Sequence, residues 1–314
     1  MASRSKWQSL PTEQINPSTL AIDKLAPADI VEGMLNEDRK MLAAVQKEKD
    51  RIAVGVEIVT QALRKRGRIV FVGAGTSGRL GVLESAEMPP TFGTDPTLVQ
   101  AIMAGGQDAV YKAREGVEDN YEEGARAINR LRPTKRDVVI GVSASGMTQF
   151  VRGALTKARR AGSKIIFVTC DPRTELQTFV DLTIAPAVGP EVIAGSTRLK
   201  AGTATKMVLN MLTTAAMIRI GKTYGNLMVD VQMGSEKLKD RARRIIIIVT
   251  GLEYDEADAL LRRAHWDVKA AIVMQKTGLT YTKALSRLRK SHDFVRDAIG
   301  EDVEARLKEL LHIA

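Results

Sequence analysis

Between residues 68 and 185, short apolar runs alternate with longer amphipathic ones, and this alternation constrains the fold more than any other feature. The runs at 68–72, 99–103, 137–142, 164–169 and 182–185 are four to six residues long and mostly apolar, as expected for strands covered on both faces. The intervening segments 78–87, 108–132 and 148–161 read as helices. Strand–helix alternation of this kind predicts an α/β fold, a mostly parallel sheet between two helical layers. One or two helices at 28–65 come first, beginning directly after Pro27. A long apolar helix at 202–221 follows, stopped by Gly221. Beyond about residue 245 the pattern changes to three short amphipathic helices separated by Gly or Thr, with no strand. Three segments are therefore expected: an N-terminal arm and helices at 1–55, the α/β domain at 56–245, and a small helical domain at 246–314. The polar stretch 1–25 reads as a loop-like arm that reaches across to a partner subunit.

Composition removes several function classes. Hydrophobic residues are 44% of the 314, enough for a sizeable core, but aromatics are only 4%, which argues against a base-stacking surface. The net charge of +10 comes from basic residues interleaved with acids, so small anionic substrates fit it better than nucleic acid does. The single cysteine, Cys170, ends an apolar run and reads as a buried thiol; no intrachain disulfide can form, as in a reducing cytoplasm. The opening "MASRSKWQSLPTEQ" lacks a signal-peptide apolar core, and no apolar stretch reaches membrane-spanning length. The scattered histidines, His265, His292 and His312, give no metal-ligand spacing.

The first strand runs into "GAGTSG", with Gly73, Gly75 and Gly78 spaced as in a dinucleotide fingerprint. Such a site needs an acid at the end of the second strand to hold the ribose; here that strand ends "IMAGGQD". A dinucleotide is therefore not expected. The loop does bring Thr76 and Ser77 to a helix start, where unpaired N–H groups and the dipole favour an anion; taken alone, Ser77 could equally cap its own helix. A second strand runs into "SASGMT", with Ser143, Ser145, Gly146 and Thr148. Two such loops on neighbouring parallel strands meet at the edge where open α/β sheets bind ligands, and they suit one phosphate monoester.

These paired loops resemble the SIS (sugar isomerase) fold. The segments "GAGTSGRLGVLESAEMPPTFG", "AGG…AREGVEDN", "SASGMTQFVRGAL" and "GPEVIAGSTRLKAGTATKMVLNMLTT…GKTYGNLMVD" together resemble the N-acetylmuramic acid 6-phosphate etherase family, from about residue 20 to 245. The segment "GPEVIAGSTRLKAGT" is also similar to a signature of the glucokinase regulatory proteins, which are longer and carry two SIS domains. The resemblance implies a cofactor-free carbon–oxygen lyase of peptidoglycan amino-sugar recycling or catabolism. It cleaves the lactyl ether of its phosphosugar to N-acetylglucosamine 6-phosphate and D-lactate, by elimination and then addition of water. It further implies a homodimer, in keeping with the cytoplasmic, metal-free reading without nucleic-acid or membrane partner drawn from composition, and "EYDEADALLRRAHWDVKAAIVM" at the C-terminus resembles a UBA-like three-helix module.

Elimination next to an aldehyde needs a base at C2 and an acid at the departing oxygen, a task for two carboxylates. The resemblance puts that pair on Glu87, before "MPP", and Glu118, in "EGVEDN". By family analogy Glu87 is the acid and Glu118 the base. Read from the residues alone, Glu87 is a helix-end carboxylate, the helix being terminated by Pro89 and Pro90, and a C-terminal dipole there would raise its pKa. Glu115, Glu118 and Asp119 alone read as an exposed acidic helix face. "GSTRLKAGT" adds Ser196, Thr197, Arg198 and Lys200 as substrate or phosphate ligands, with subunit salt bridging an equal reading for Arg198 and Lys200. Asn226 is a polar positioner or a turn residue, and His265 and Trp266 read as packing. The second loop departs from the family pattern, with Met147 where Arg and Gln149 where Pro are more usual; neither change removes a hydroxyl. A non-catalytic phosphosugar sensor is the rival reading, but a sensor needs no paired carboxylates. A phosphosugar isomerase of the same fold lacks "STRLKAGT".

Overall fold

The computed structural model describes residues 10–312, which divide into two compact units. The first holds the chain up to Ser85 together with Thr97–Thr214; the second holds Ala86–Pro96 and the chain from Ala215 onward. The packing therefore divides the molecule near residue 214 and not at 245, and it separates the segment 86–96 from its sequence neighbours.

In the first unit, five strands form one parallel sheet: β1 (Ile69–Gly73), β2 (Val99–Met103), β3 (Val138–Val142), β4 (Lys164–Val168) and β5 (Leu182–Ile184). Their order is β2-β1-β3-β4-β5, with Gly73 level with Met103 on one side and Val142 on the other. β1 and β3 are buried at every residue, whereas the edge strand β2 is buried only at its ends. Runs such as "IVFVG" and "VVIGV" thus form strands because both faces are covered, by α2 (Lys49–Arg64), α3 (Gly75–Phe92), α5 (Tyr121–Arg130), α6 (Gln149–Arg160) and α7 (Lys200–Arg219) among others. On one side Val70, Val72, Val139 and Ile165 pack with Phe150, Val151 and Leu155 into a continuous cluster. The chain leaves β1 toward β2 and later leaves β3 toward β4, so the winding reverses between β1 and β3. The crevice at that switch point is where open α/β sheets take ligands.

Two expected helices take a different form. The segment 108–132 breaks into a single turn, α4 (Asp108–Tyr111), a 3₁₀ turn at Val117–Asp119, and α5. Lys112 leaves α4 in an extended conformation, and the Asn120 side chain accepts from Glu123 N (2.9 Å) to start the next helix. Glu118 therefore sits on a tight turn and not on a helix face. In contrast, α3 does not stop before the prolines but continues to Phe92. Pro89 and Pro90 lack the N–H groups that would bond the carbonyls of residues 85 and 86, yet their fixed φ is helical. The division between the units falls at that same point. Glu87 is consequently an interior helix residue, and no helix-end dipole acts on it.

The described N-terminal arm, α1 (Pro27–Lys47) and α2 belong to the first unit. The arm packs on its own chain: Thr19 Oγ1 donates to Val192 O (3.0 Å), Asn16 Nδ2 to Pro190 O (3.3 Å), and Gly195 N to Thr12 O (3.2 Å). Residues 1–9, part of the arm expected to cross to a partner, lie outside the described residues.

The second unit holds a two-residue hairpin, β6 (Thr223–Tyr224) and β7 (Leu227–Met228), and six helices among the described residues. These are α8 (Glu236–Thr250), α9 (Tyr254–Arg263), α10 (Val268–Thr277), α11 (Tyr281–Lys290), α12 (Val295–Ile299) and α13 (Glu304–Leu311). Three helices were expected; α8 starts ahead of the expected boundary because Ser235 caps it. Its core joins Ile246, Leu260, Leu261, Ile272 and Leu288. Asn226 occupies the hairpin turn. His265 packs on Tyr281 (4.8 Å between ring centroids), and Trp266 receives the Arg243 guanidinium on its face (5.1 Å). No helix among the described residues is long and apolar enough to cross a membrane.

Candidate active site

At the switch point the chain passes from β1 into α3 with almost no loop. A Cβ on Gly73 would lie 2.6 Å from Gly78 N, and one on Gly78 would lie 2.9 Å from Gly73 O. The glycine spacing is therefore explained by close strand–helix approach, which points the first-turn N–H groups and the Thr76 and Ser77 hydroxyls beyond the end of the sheet. After β3, Ser143 and Thr148 share a hydrogen bond between their hydroxyls (2.8 Å), and Ser145 Oγ accepts from Met147 N (3.4 Å). Thr174 Oγ1 donates to Gly146 O (3.2 Å) and Cys170 N to Ala144 O (2.9 Å), fixing the loop from behind.

The two loops form one wall of a cavity of about 360 Å³. Among the sequence candidates, Thr76, Ser77, Glu118, Ser143, Ser145, Thr148 and Thr197 line it. Gly146 is buried beneath, with φ +74° and with Thr174 Oγ1 2.8 Å from where its Cβ would stand; it shapes the loop and does not face the cavity. Ser196 and Arg198 are not on the wall, and Arg198 is exposed. Glu87 is exposed and belongs to the second unit.

Lys200 corrects the sequence reading. Its ammonium is buried and 2.6 Å from the equally buried Glu37 of α1, so it ties helix to helix and leaves no charge for an anion in the cavity. Burial would raise the Glu37 pKa, but hydrogen bonds from Lys200, Lys40 and Asn16 overcome it and hold the carboxyl near 2. Glu191, also buried, accepts from Lys200 N and Ala201 N (2.9 Å each) and caps α7. Burial, with a contribution from Glu191, pushes the Cys170 thiol up to about 12, so it stays protonated and is no nucleophile.

Several residues of the site escaped the sequence reading. Arg79 donates to Val110 O and Ala109 O (2.8 Å each), clamping the segment that leads to Glu118. Arg114, paired with Asp108 (2.8 Å), and Glu13 of the arm also line the cavity. Arg79 stands one residue after "GTSG", a position that marks it as facing the loop; nothing local marks Glu13. A larger cavity of about 660 Å³ opens beside β2, but it carries neither serine nor threonine, whereas the smaller one carries both hydroxyl loops.

Replacing Gly78 by Ala forces the strand and helix apart. The expected result is a stability loss of about 1–3 kcal/mol from overpacking, with weaker binding of inorganic phosphate by calorimetry because the first-turn N–H groups are displaced. A folded variant with unchanged affinity would take this loop out of the anion seat.

Comparison with known proteins agrees with this geometry. The glucokinase regulatory protein N-terminal SIS domain matches residues 51–159, and the SIS domain matches 121–215. The N-acetylmuramic acid 6-phosphate etherase of Salinibacter ruber is 50% identical over 296 residues, spanning 94% of this chain and 95% of its own. Those of Clostridium acetobutylicum and Geobacillus thermodenitrificans are each 49% identical, over 272 and 267 residues, spanning 87% and 85% of this chain and 90% of their own. Half of the residues are thus shared along almost the full length of both proteins, and the chain belongs to the N-acetylmuramic acid 6-phosphate etherase family.

Proposed function

We propose that the chain is a carbon–oxygen lyase that cleaves the lactyl ether of N-acetylmuramic acid 6-phosphate to N-acetylglucosamine 6-phosphate and D-lactate. The observation that carries this reading is the convergence of both hydroxyl loops and Glu118 on one cavity. The phosphate sits on Thr76, Ser77, Ser143, Ser145 and Thr148, held by hydroxyls and first-turn N–H groups. Thr197 also lines the cavity. Glu118 takes the C2 proton, made acidic by the C1 aldehyde; the C–H pair becomes the C2–C3 double bond as the C3–O bond breaks. Glu87, assigned by family resemblance, protonates the departing lactate oxygen. Water then adds at C3 of the unsaturated aldehyde, with the carboxylates exchanging roles. No step calls for a metal or cofactor. A cytoplasmic homodimer working in amino-sugar recycling or catabolism is the setting this reading implies.

The test is incubation of the pure protein with N-acetylmuramic acid 6-phosphate and enzymatic measurement of D-lactate. Stoichiometric lactate and N-acetylglucosamine 6-phosphate are expected. A folded protein that binds the phosphosugar and releases no lactate overturns the lyase and leaves a sensor.

A further inference from the structure

We infer that Glu13 is a further catalytic residue, the group that opens the sugar ring before elimination. The inference rests on the etherase reading. An amino sugar phosphate exists in water almost wholly as a closed hemiacetal, in which C1 is masked and the C2 proton is not acidic. Some group must move a proton from the O1 hydroxyl to the ring oxygen, O5. In that reading Glu118 and Glu87 are committed to C2 and to the leaving oxygen. Histidine is the side chain best matched to such a transfer near neutral pH, but none of His265, His292 and His312 lines the cavity.

Glu13 fills this gap by position. It ends a 3₁₀ turn, Pro11–Glu13, whose neighbours Leu10 and Thr12 are buried. The bond from Gly195 N to Thr12 O and the contacts of Asn16 and Thr19 fix the turn against residues 190–195. Gly195 has φ +79°, and a Cβ there would stand 3.2 Å from Glu13 Oε2; glycine leaves the carboxylate its room. Among the described residues, no hydrogen bond or ion pair engages the Glu13 side chain. Glu13 lines the cavity of the two hydroxyl loops and also a hollow of about 380 Å³ that it shares with Glu118, Ser145 and Thr148. Glu115 also borders the cavity, but it stands on the segment of Glu118 itself and does not reach the hollow.

The step balances without a co-reactant. The Glu13 carboxylate accepts the O1 proton as the freed pair forms the C1=O1 bond. The C1–O5 bond breaks with its pair on O5, and Glu13 returns the proton to O5. The open aldehyde is delivered to Glu118, and Glu13 ends as it began.

Glu13→Gln keeps the shape and removes the proton transfer. Lactate release is measured at increasing enzyme concentration, beside the spontaneous ring-opening rate of the substrate and the affinity for N-acetylglucosamine 6-phosphate. Wild-type rate should rise in proportion to enzyme. The variant should bind the product normally, run about 10²-fold or more slower at equal concentration, and level off at the spontaneous ring-opening rate. An imidazole buffer that catalyses ring opening in solution should raise that plateau. A variant as fast as wild type, or one slowed in constant proportion at every concentration and deaf to the buffer, overturns the assignment. Wild-type protein that releases no lactate would instead overturn the etherase reading itself, and with it any role for Glu13 in that reaction.

Discussion

Glu118→Gln is expected to lower the turnover rate of lactate release by about 10²–10⁴-fold, the usual contribution of a positioned general base. KM should change little, because the proposed phosphate seat on the hydroxyl loops is left untouched by the substitution. The C2 hydrogen gives an independent readout. In deuterated water, wild-type product should carry deuterium at C2, and the variant should lose this exchange in parallel with turnover. Glu87→Gln should also slow lactate release, yet it should spare C2 exchange more than Glu118→Gln does, because exchange needs only the base. Equal loss of exchange in both variants would reverse or merge the two roles. An unchanged rate in either variant would remove that residue from the chemistry.

Lys200→Met carries the largest expected effect on stability. Removing Lys200 leaves the buried Glu37 carboxylate with only the exposed Lys40 as a charge partner, at a cost of up to about 3–5 kcal/mol; in a domain of this size that corresponds to a fall in Tm of up to roughly 10 °C. The double variant Glu37→Gln/Lys200→Met should recover part of the loss. The pH dependence has a definite sign. Glu37 is held near 2 in the folded chain, below its ordinary value of about 4.3. Its stabilisation is therefore complete above that ordinary value and is lost as pH falls toward 2. The Tm gap between wild type and variant should accordingly be widest near neutrality and narrow in acid. Were Lys200 a ligand for the substrate, as its place in "STRLKAGT" suggested, the variant would keep its Tm and raise KM instead.

The sequence by itself determined the frame. Five short apolar runs have one stable home, a sheet covered on both faces, and they form strands within one residue of the expected ends. The loops "GAGTSG" and "SASGMT" follow directly from those strands, so their meeting at the switch point was legible once the sheet was known to be parallel. Helix continuity was less legible. Two prolines read as a stop at 89, yet helical φ carried α3 past them, and the cap at Asn120 divided a segment whose apolar spacing looked unbroken. Only the tertiary structure decided which charged side chains face the cavity. Thr197 lines it while Lys200, three residues on, meets Glu37 across 163 positions of chain. Glu13 reaches the wall because the arm is hydrogen-bonded to residues 190–195, more than 170 positions away. Apolar periodicity and caps are local and can be read along the chain. The direction of a long charged side chain is set by whichever partner lies within hydrogen-bonding reach in space, and sequence order does not contain that partner.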